Sequence, residues 1–171
     1  IMRFVGPPFT FSFQQVGTNC GLIGQNAAVE VDGTAYWMSE NGFFRYAGAL
    51  ETLPCLVEDF VYDNINLESG NQMVSAGLNN LFGEVIWFYP SGTSDVVNKM
   101  VAYNYFDSTL LKRPVWTVGT LSRTMWKDSS VFGKPHALEY DAATDTSFDV
   151  VGNTEGRTSY YEHETGTDQN K

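Results

Sequence analysis

The residue pattern most suggestive of chemistry is Glu162-His163-Glu164, where an imidazole lies between two carboxylates. Histidine and carboxylate side chains can together hold a zinc ion. In a β-strand, however, neighbouring side chains point to opposite faces, so Glu162 and Glu164 would both point away from His163. The only other histidine is His136, and the sequence offers no obvious further ligand. The pattern therefore favours an exposed strand end, and no metal site is predicted.

A second group of oxygen ligands is Asp141, Asp145 and Asp149, which recur at every fourth residue. The ligands of a calcium-binding loop alternate at every second residue instead. The spacing therefore favours a solvated surface loop, with a weak calcium site as the alternative.

Patterns typical of enzymes are also missing from the sequence. Residues 17–24 contain three glycines but no lysine, so they do not form a phosphate-binding loop, and no serine lies in a nucleophile elbow. Glycosidases use a carboxylate pair, but Glu84, Asp107 and Asp128 show no readable pairing. The arginines are dispersed, at Arg45, Arg113, Arg123 and Arg157. We predict no enzymatic activity, no catalytic residues and no cofactor, and a glycoside hydrolase ranks last among the alternatives.

Composition limits the possible partners. The 171 residues carry a formal net charge of −10, and the ten basic residues are scattered along the chain. This composition disfavours a basic nucleic-acid groove, and the acidic surface is expected to aid solubility. Cys20 and Cys55 are the only cysteines, and their isolation favours two buried free thiols over a disulfide. No apolar run approaches the roughly 20 residues that a membrane span needs.

The elements that must position these residues are predicted from a repeated strand. The run Phe82–Gly92 aligns without a gap with Asp32–Gly42 and, more loosely, with Gly156–Gly166. In each copy, a large apolar pair ends five residues before a glycine: Tyr36-Trp37, Ile86-Trp87 and Tyr160-Tyr161. A strand that recurs at such spacing is typical of propeller blades.

We therefore predict an all-β chain of antiparallel propeller-type blades, with residues 1–171 as one segment and an incomplete ring. Blade-like units are expected at about 10–50, 72–121 and 124–166, with a helical insertion at about 53–66. Residues 1–8 are expected to be irregular, and Phe9, Phe11 and Phe13 alternate as in a half-buried strand. The other predicted strands are 27–31, 34–39, 43–46, 73–79, 84–89, 100–106, 115–121, 124–127, 136–141, 148–151 and 159–163.

The helical insertion is predicted from apolar residues that fall on one helical face between Leu53 and Ile65. Thr52 would cap this helix, and Pro54 fits its first turn.

Aromatic residues are expected to join the blades. Trp87, Tyr103, Tyr105 and Trp116 lie in predicted strands beside other apolar residues, so we expect them in the core between two blades. Trp126 follows Arg123 closely, and both residue types are favoured in protein interfaces. We therefore predict Trp126 and Arg123 as interface residues.

Several runs of turn and core residues, which together cover most of residues 17–166, carry a likeness to known proteins. They are Gly21 to Val29, Asp32 to Ser39, Gly42 to Tyr46, Leu53-Pro54-Cys55, Trp87 to Ser91, Tyr103-Asn104-Tyr105 and Tyr161 to Gly166. In these runs the chain resembles the propeller-containing head-to-tail connector and tail-hub proteins of bacteriophages, such as the packaged-DNA stabilisation proteins of short-tailed phages.

This resemblance implies a structural protein of the virion neck or tail, made in the bacterial host cytoplasm, that forms rings around the DNA channel and helps to retain the packaged genome. Its partners would be other neck and tail proteins and copies of itself, with only loose proximity to DNA. Members of the group are several times longer and this chain begins with Ile1, so we expect a segment of a tail component. The alternative is a receptor- or glycan-binding module of a phage tail tip.

Overall fold

The computed structural model describes residues 1–67, 73–128, 135–140 and 157–161, and most of the regular structure in them is antiparallel β-sheet. The all-β prediction is confirmed, and none of the four sheets closes on itself in the described residues. The strands are β1 (Met2–Phe4), β2 (Phe11–Phe13), β3 (Ala28–Val31), β4 (Thr34–Ser39), β5 (Gly42–Tyr46), β6 (Leu50–Leu53), β7 (Ser75–Asn79), β8 (Glu84–Tyr89), β9 (Lys99–Asn104), β10 (Trp116–Gly119), β11 (Met125–Lys127), β12 (His136–Tyr140) and β13 (Arg157–Tyr161). The helices include α1 (Glu58–Tyr62) and α2 (Tyr105–Leu111).

Sheet one is the meander β3-β4-β5-β6. Its first turn is formed by Asp32 and Gly33, which both have positive φ (48° and 80°), as the Asp-Gly pair predicts. The Glu30 carboxylate accepts a hydrogen bond from the Gly33 backbone N–H and fixes this turn. The three predicted strands are present, and β6 is a fourth strand that was not predicted; its last residue, Leu53, was expected to begin the helix.

The predicted helix at 53–66 is therefore wrong over most of its length. Leu53 pairs with Phe43 and Thr52 with Phe44 in the ladder between β5 and β6, so Thr52 is not available as a helix cap. Pro54 favours an extended backbone at Leu53, which suits the strand. Only α1 is helical here, and Leu56 and Phe60, which were expected on its buried face, are 80% and 48% exposed.

Sheet two is the meander β7-β8-β9-β10, and β8 lies at its centre. All residues of β8 after Glu84 are buried, on both faces of the sheet. The predicted third strand was expected to continue to Phe106, but Tyr105 already begins α2. The side chain of Asn104 accepts a hydrogen bond from the Asp107 backbone N–H at 2.7 Å, and this N-cap explains why the chain changes from strand to helix there.

Sheet three is the antiparallel set β11-β12-β13, which matches three of the predicted strands. The fourth prediction, at 148–151, lies outside the described residues. The third copy of the repeat falls on β13, the third strand of its sheet, whereas the first two copies fall on the second strands β4 and β8.

The chain opens with a hairpin formed by β1 and β2, which we call the aromatic hairpin (residues 1–14). Two expectations are corrected here. Residues 2–4 form a strand instead of an irregular lead-in, and Phe9, Phe11 and Phe13 are 73%, 47% and 78% exposed instead of half-buried. Alternation alone predicts a strand but cannot show whether another element covers its apolar face.

The main core lies between sheets one and two. Its fully or nearly buried members include Tyr36, Met38, Phe43, Val85, Trp87, Tyr89, Val101 and Tyr103. A smaller core on the other face of sheet two contains Ile86, Phe88, Val97 and Ala102, with Trp126 packed against it. The first strands of the sheets lie next to each other: β3 contacts β7, and β7 contacts β11.

Candidate functional site

The four tryptophans make the same kind of hydrogen bond to distant parts of the chain. Each indole Nε1–H donates to a main-chain carbonyl oxygen from an earlier segment of the chain. The acceptors are Cys20 for Trp37 (2.7 Å), Ala27 for Trp87 (3.0 Å), Pro54 for Trp116 (2.9 Å) and Leu78 for Trp126 (2.8 Å). A buried indole needs such a partner, so each bond fixes both the ring and the segment that it reaches.

The expected aromatic core between the first two units is present. Phe43 of sheet one lies with its ring centroid 5.0 Å from that of Trp87 and 4.8 Å from that of Trp116. Tyr103 lies 5.0 Å from Trp116, and Tyr105 stacks on Tyr36 at 6.3 Å. These aromatic side chains meet across the two sheets and hold them face to face.

Trp126 and Arg123, the two predicted interface residues, both lie in contacts within the chain. Trp126 is half-buried, packs on Gly77 and lies 5.8 Å from the ring of Phe88. Arg123 is 1% exposed and donates a hydrogen bond to the Ser122 carbonyl oxygen. The sequence predicted that both residues contact a partner protein, but the contacts in the structure are with other parts of the same chain. A contact with a second chain stays a prediction.

A cleft of about 500 Å³ opens between the outer parts of sheets one and two. It is lined by Arg45 and Glu51 from sheet one, by Tyr103 of β9, and by Lys112 and Arg113, which follow α2. The sequence reading treated Arg45 and Arg113 as dispersed, and this is corrected because the two arginines line one cavity. They are far apart in sequence, so only the packing of the two sheets could reveal that they line the same cavity.

The electrostatics of the cleft are dominated by cations. Arg45 forms an ion pair with Glu51, whose Oε2 accepts hydrogen bonds from Nε at 2.8 Å and from Nη2. The hydrogen bond to Glu51 raises the pKa of Arg45, and an arginine side chain is always charged in proteins. Lys112 and Arg113 are both exposed at the rim. Three cations against one carboxylate can attract an anionic group, even though the whole chain is acidic.

A second titratable site lies at one end of sheet two. Glu84 accepts a hydrogen bond from Asn79 Nδ2 at 3.2 Å, and burial together with nearby Asp107 raises the pKa of the Glu84 carboxyl. Asp128 accepts a hydrogen bond from the Asn80 backbone N–H at 3.2 Å in the same region. These contacts hold the β7–β8 turn against its neighbours. The three carboxylates therefore lie among residues that stabilise the turn.

No protein-family model and no curated protein matches the chain.

Sites for metal or redox chemistry were also sought. Within residues 1–67, 73–128, 135–140 and 157–161, no three His, Cys, Asp or Glu side chains come together as a metal site. His163 and the aspartates at 141, 145 and 149 lie outside these ranges, and His136 lies in β12. Cys20 and Cys55 are free thiols, as predicted, but both are half-buried instead of buried. Burial raises the pKa of Cys55 to about 11, which makes it a poor nucleophile.

The helices that can be described are too short and too polar to cross a bilayer.

Proposed function

We propose that the chain is a propeller-type structural protein of a bacteriophage neck or tail, where it assembles with copies of itself and with other tail proteins around the DNA channel. The propeller arrangement is supported mainly by the burial of sheet two on both of its faces. Val85, Trp87 and Tyr89 face sheet one, and Ile86 and Phe88 belong to the second core, on the side of sheet three.

The direction of the repeated residues supports the same arrangement. Trp37 and Trp87 occupy the same position in the repeat. Trp87 points back towards sheet one, whereas Trp37 points away from the shared core and stacks on Phe44 at 5.8 Å. In a two-layer sandwich, equivalent residues of both sheets would face one shared layer. Here each tryptophan faces the segment before it, as in units related by rotation about an axis.

The arrangement of the first strands points to an axis of this kind. β3, β7 and β11 lie side by side, and Asn26 and Ser75 form a parallel bridge between the first two units. In a propeller, the blades are arranged around a central channel. Three such sheets do not close a ring, because a propeller needs at least about four blades. The open faces therefore need further units, either from the same polypeptide or from partners.

The net charge supports a role beside DNA without tight binding to it. A chain with a formal charge of −10 repels phosphate, so a genome could pass an acidic surface without sticking to it. We expect no shift of double-stranded DNA by the protein in a gel at low salt, where charge attraction is strongest.

Electron microscopy of the phage particle tests this proposal directly. Gold-labelled antibody against the protein, or a map of the particle at residue resolution, should place it in a ring on the tail axis. The same antibody after adsorption with the pure protein is the control. Label at a head-vertex decoration or at a fibre tip would contradict the proposed position.

The cleft favours a second candidate function, a receptor- or glycan-binding module of a tail tip. Its cations and its tyrosine suit an anionic sugar. A glycan array with the wild-type protein, Arg113→Ala and Lys127→Ala separates the two functions. Lys127 is exposed in β11, away from the cleft lining, so its loss is the matched control. Binding that disappears only in Arg113→Ala would favour this candidate, and no binding would exclude it.

A further inference from the structure

The aromatic hairpin carries a sheet face that nothing in the described chain covers. Met2 pairs with Phe13 and Phe4 with Phe11, so these four side chains lie on one face, while Arg3 and Ser12 lie on the other. The four are 60%, 78%, 73% and 47% exposed. Phe4 and Phe11 touch edge to face, with ring centroids 5.9 Å apart, but neither ring is buried by sheets one to three.

The hairpin backbone is nevertheless well formed. The Gln14 N–H donates to the Ile1 carbonyl oxygen at 2.8 Å, and the Val5 N–H donates to that of Thr10 at 3.1 Å. A two-stranded hairpin is only marginally stable alone in water and needs packing on an apolar surface. A regular hairpin with four exposed large side chains therefore suits a segment that is packed in an assembly.

The exposed area is sufficient for a specific contact. At about 200 Å² for each large side chain, the four side chains of this face expose on the order of 500 Å². A stable interface buries about 800 Å² on each partner. The hairpin face alone can therefore supply more than half of the area that one partner buries in such an interface.

Charge indicates what kind of surface the hairpin fits. Arg3 is the only charged side chain in residues 1–29, whereas all 20 acidic residues and the other nine basic residues lie in 30–171, which gives that part a net charge of −11 (9 − 20). The hairpin is thus an apolar segment without acidic residues, so an acidic surface would not repel it. In an assembly of identical copies, each hairpin lies near the acidic segment 30–171 of another copy.

Helix α2 offers an acceptor with the matching chemistry. Phe106, Leu110 and Leu111 are 67%, 71% and 51% exposed, and Phe106 and Leu110 lie one turn apart on one helical face. Asp107 adds a negative charge in the first turn of the helix, at the opposite end from Lys112 and Arg113. Both α2 and the hairpin stay exposed within one chain, so they do not cover each other there.

We propose that the aromatic hairpin of one copy docks on the exposed face of α2 of a second copy. The contact joins two different surfaces, so it repeats head to tail and generates a ring or a filament. It deepens the assembly role proposed above by naming the surfaces through which copies join, and it rests on that role only for its place in the virion.

Light scattering after gel filtration tests the contact with three variants. The hairpin variant is Phe4→Ser with Phe13→Ser, the helix variant is Phe106→Ser with Leu110→Ser, and Leu22→Ser, at a 50% exposed loop position, is the control. We expect the wild-type protein and the control to associate as concentration rises. We expect each double variant to associate at least tenfold more weakly, because each loses two anchor side chains.

Mixing the two double variants distinguishes a head-to-tail contact from other modes. Each variant retains one intact surface, so an equimolar mixture should form dimers and nothing larger. Unchanged association of the hairpin variant overturns the proposal. So does a helix variant that associates like the wild-type protein, since the hairpin would then dock elsewhere. A wild-type protein that stays monomeric at high concentration also overturns it.

A photocrosslinker placed at Phe13 keeps the test valid if a double variant misfolds. A mixture of ¹⁴N- and ¹⁵N-labelled protein should give mixed-isotope crosslinks between residue 13 and residues 105–112. Crosslinks within one chain only, or to another region, overturn the proposal. Particle microscopy that still places the protein in a ring would then leave the assembly role intact while this contact fails.

Discussion

Two tyrosines of the core between sheets one and two differ in how their hydroxyl groups are satisfied. The Tyr62 hydroxyl donates to the Ser39 carbonyl oxygen at 2.7 Å and accepts from the Gly42 N–H at 3.2 Å. The Tyr89 hydroxyl is buried and has no hydrogen-bond partner in the described part of the chain. A buried polar group without a partner destabilises a fold, whereas a satisfied one contributes modestly to its stability.

Replacing each tyrosine by phenylalanine should therefore have opposite effects. Tyr89→Phe is expected to leave the free energy of unfolding unchanged or to raise it by up to about 1 kcal/mol, because it removes an unsatisfied hydroxyl. Tyr62→Phe is expected to lower it by about 1–2 kcal/mol, because the Gly42 N–H loses its acceptor. Urea unfolding followed by tryptophan fluorescence measures both. A larger loss in Tyr89→Phe than in Tyr62→Phe would contradict this account.

Single residues also show where sequence reasoning succeeds. The Asp32-Gly33 turn was predictable because its backbone requirement is local. The burial of Trp87 and Tyr103 was predictable because both lie among β-branched and aromatic neighbours. The burial of Arg123 and the common cavity of Arg45 and Arg113 were not predictable, since both depend on which sheets pack together.

At the scale of elements, strands were easier to predict than helices. The segment 53–66 has a helical apolar period, but pairing of Leu53 with Phe43 places its first part in a strand. The reverse occurs at Tyr105, where the Asn104 cap starts a helix in a segment of strand-like composition. In both places a tertiary contact or a cap outweighs the pattern of apolar residues.

The contact between sheets two and three depends on a glycine. A Cβ at Gly77 in β7 would lie 2.6 Å from Cδ1 of Trp126, so the indole would have to move. We expect Gly77→Ala to lower the free energy of unfolding by about 1–3 kcal/mol, as overpacking does. The displaced indole of Trp126 should also become more exposed to water, which would appear as a red shift of the protein's tryptophan fluorescence.

Gly21→Ala is the matched control for this substitution. A Cβ at Gly21 meets nothing within 4 Å, and its backbone is not in the left-handed region. The control should be neutral or slightly stabilising, by less than about 1 kcal/mol, because alanine restricts the unfolded chain. Equal unfolding midpoints for the two variants would show that Trp126 adapts to the added methyl group without cost.

At the scale of the whole molecule, the repeat in the sequence predicted sheets of similar construction, and sheets one and two both contain four antiparallel strands. The sequence did not predict which strand the third copy of the repeat would occupy. Among the described residues, that copy falls on β13, the third strand of its sheet, and not on the second strand. The sequence also could not show that one face of the aromatic hairpin is uncovered. Apolar and polar residues alternate in the same way in strands whose apolar face is covered.

Burial of several weakly acidic groups also gives the molecule a common response to alkaline pH. Burial raises the pKa of Cys55 to about 11 and that of Tyr89 to about 12, and it also raises the pKa of Tyr62 above its usual value. Their folded values thus lie above their unfolded values. The stability that they contribute is fully present below the unfolded values and is lost as pH rises from there through the folded values.

The free energy of unfolding should therefore begin to fall at about pH 9, near the unfolded pKa of cysteine, and fall more steeply above about pH 10, where unfolded tyrosines lose their protons. Each such group adds at most about 1.4 kcal/mol per pH unit to this slope. Urea unfolding between pH 8 and 11 measures it. The double variant Tyr62→Phe with Tyr89→Phe removes two of these groups, so its loss of stability between pH 10 and 11 should be smaller than that of the wild-type protein. An unchanged slope would mean that neither buried tyrosine is linked to folding, and the loss at high pH would then have to arise from other groups.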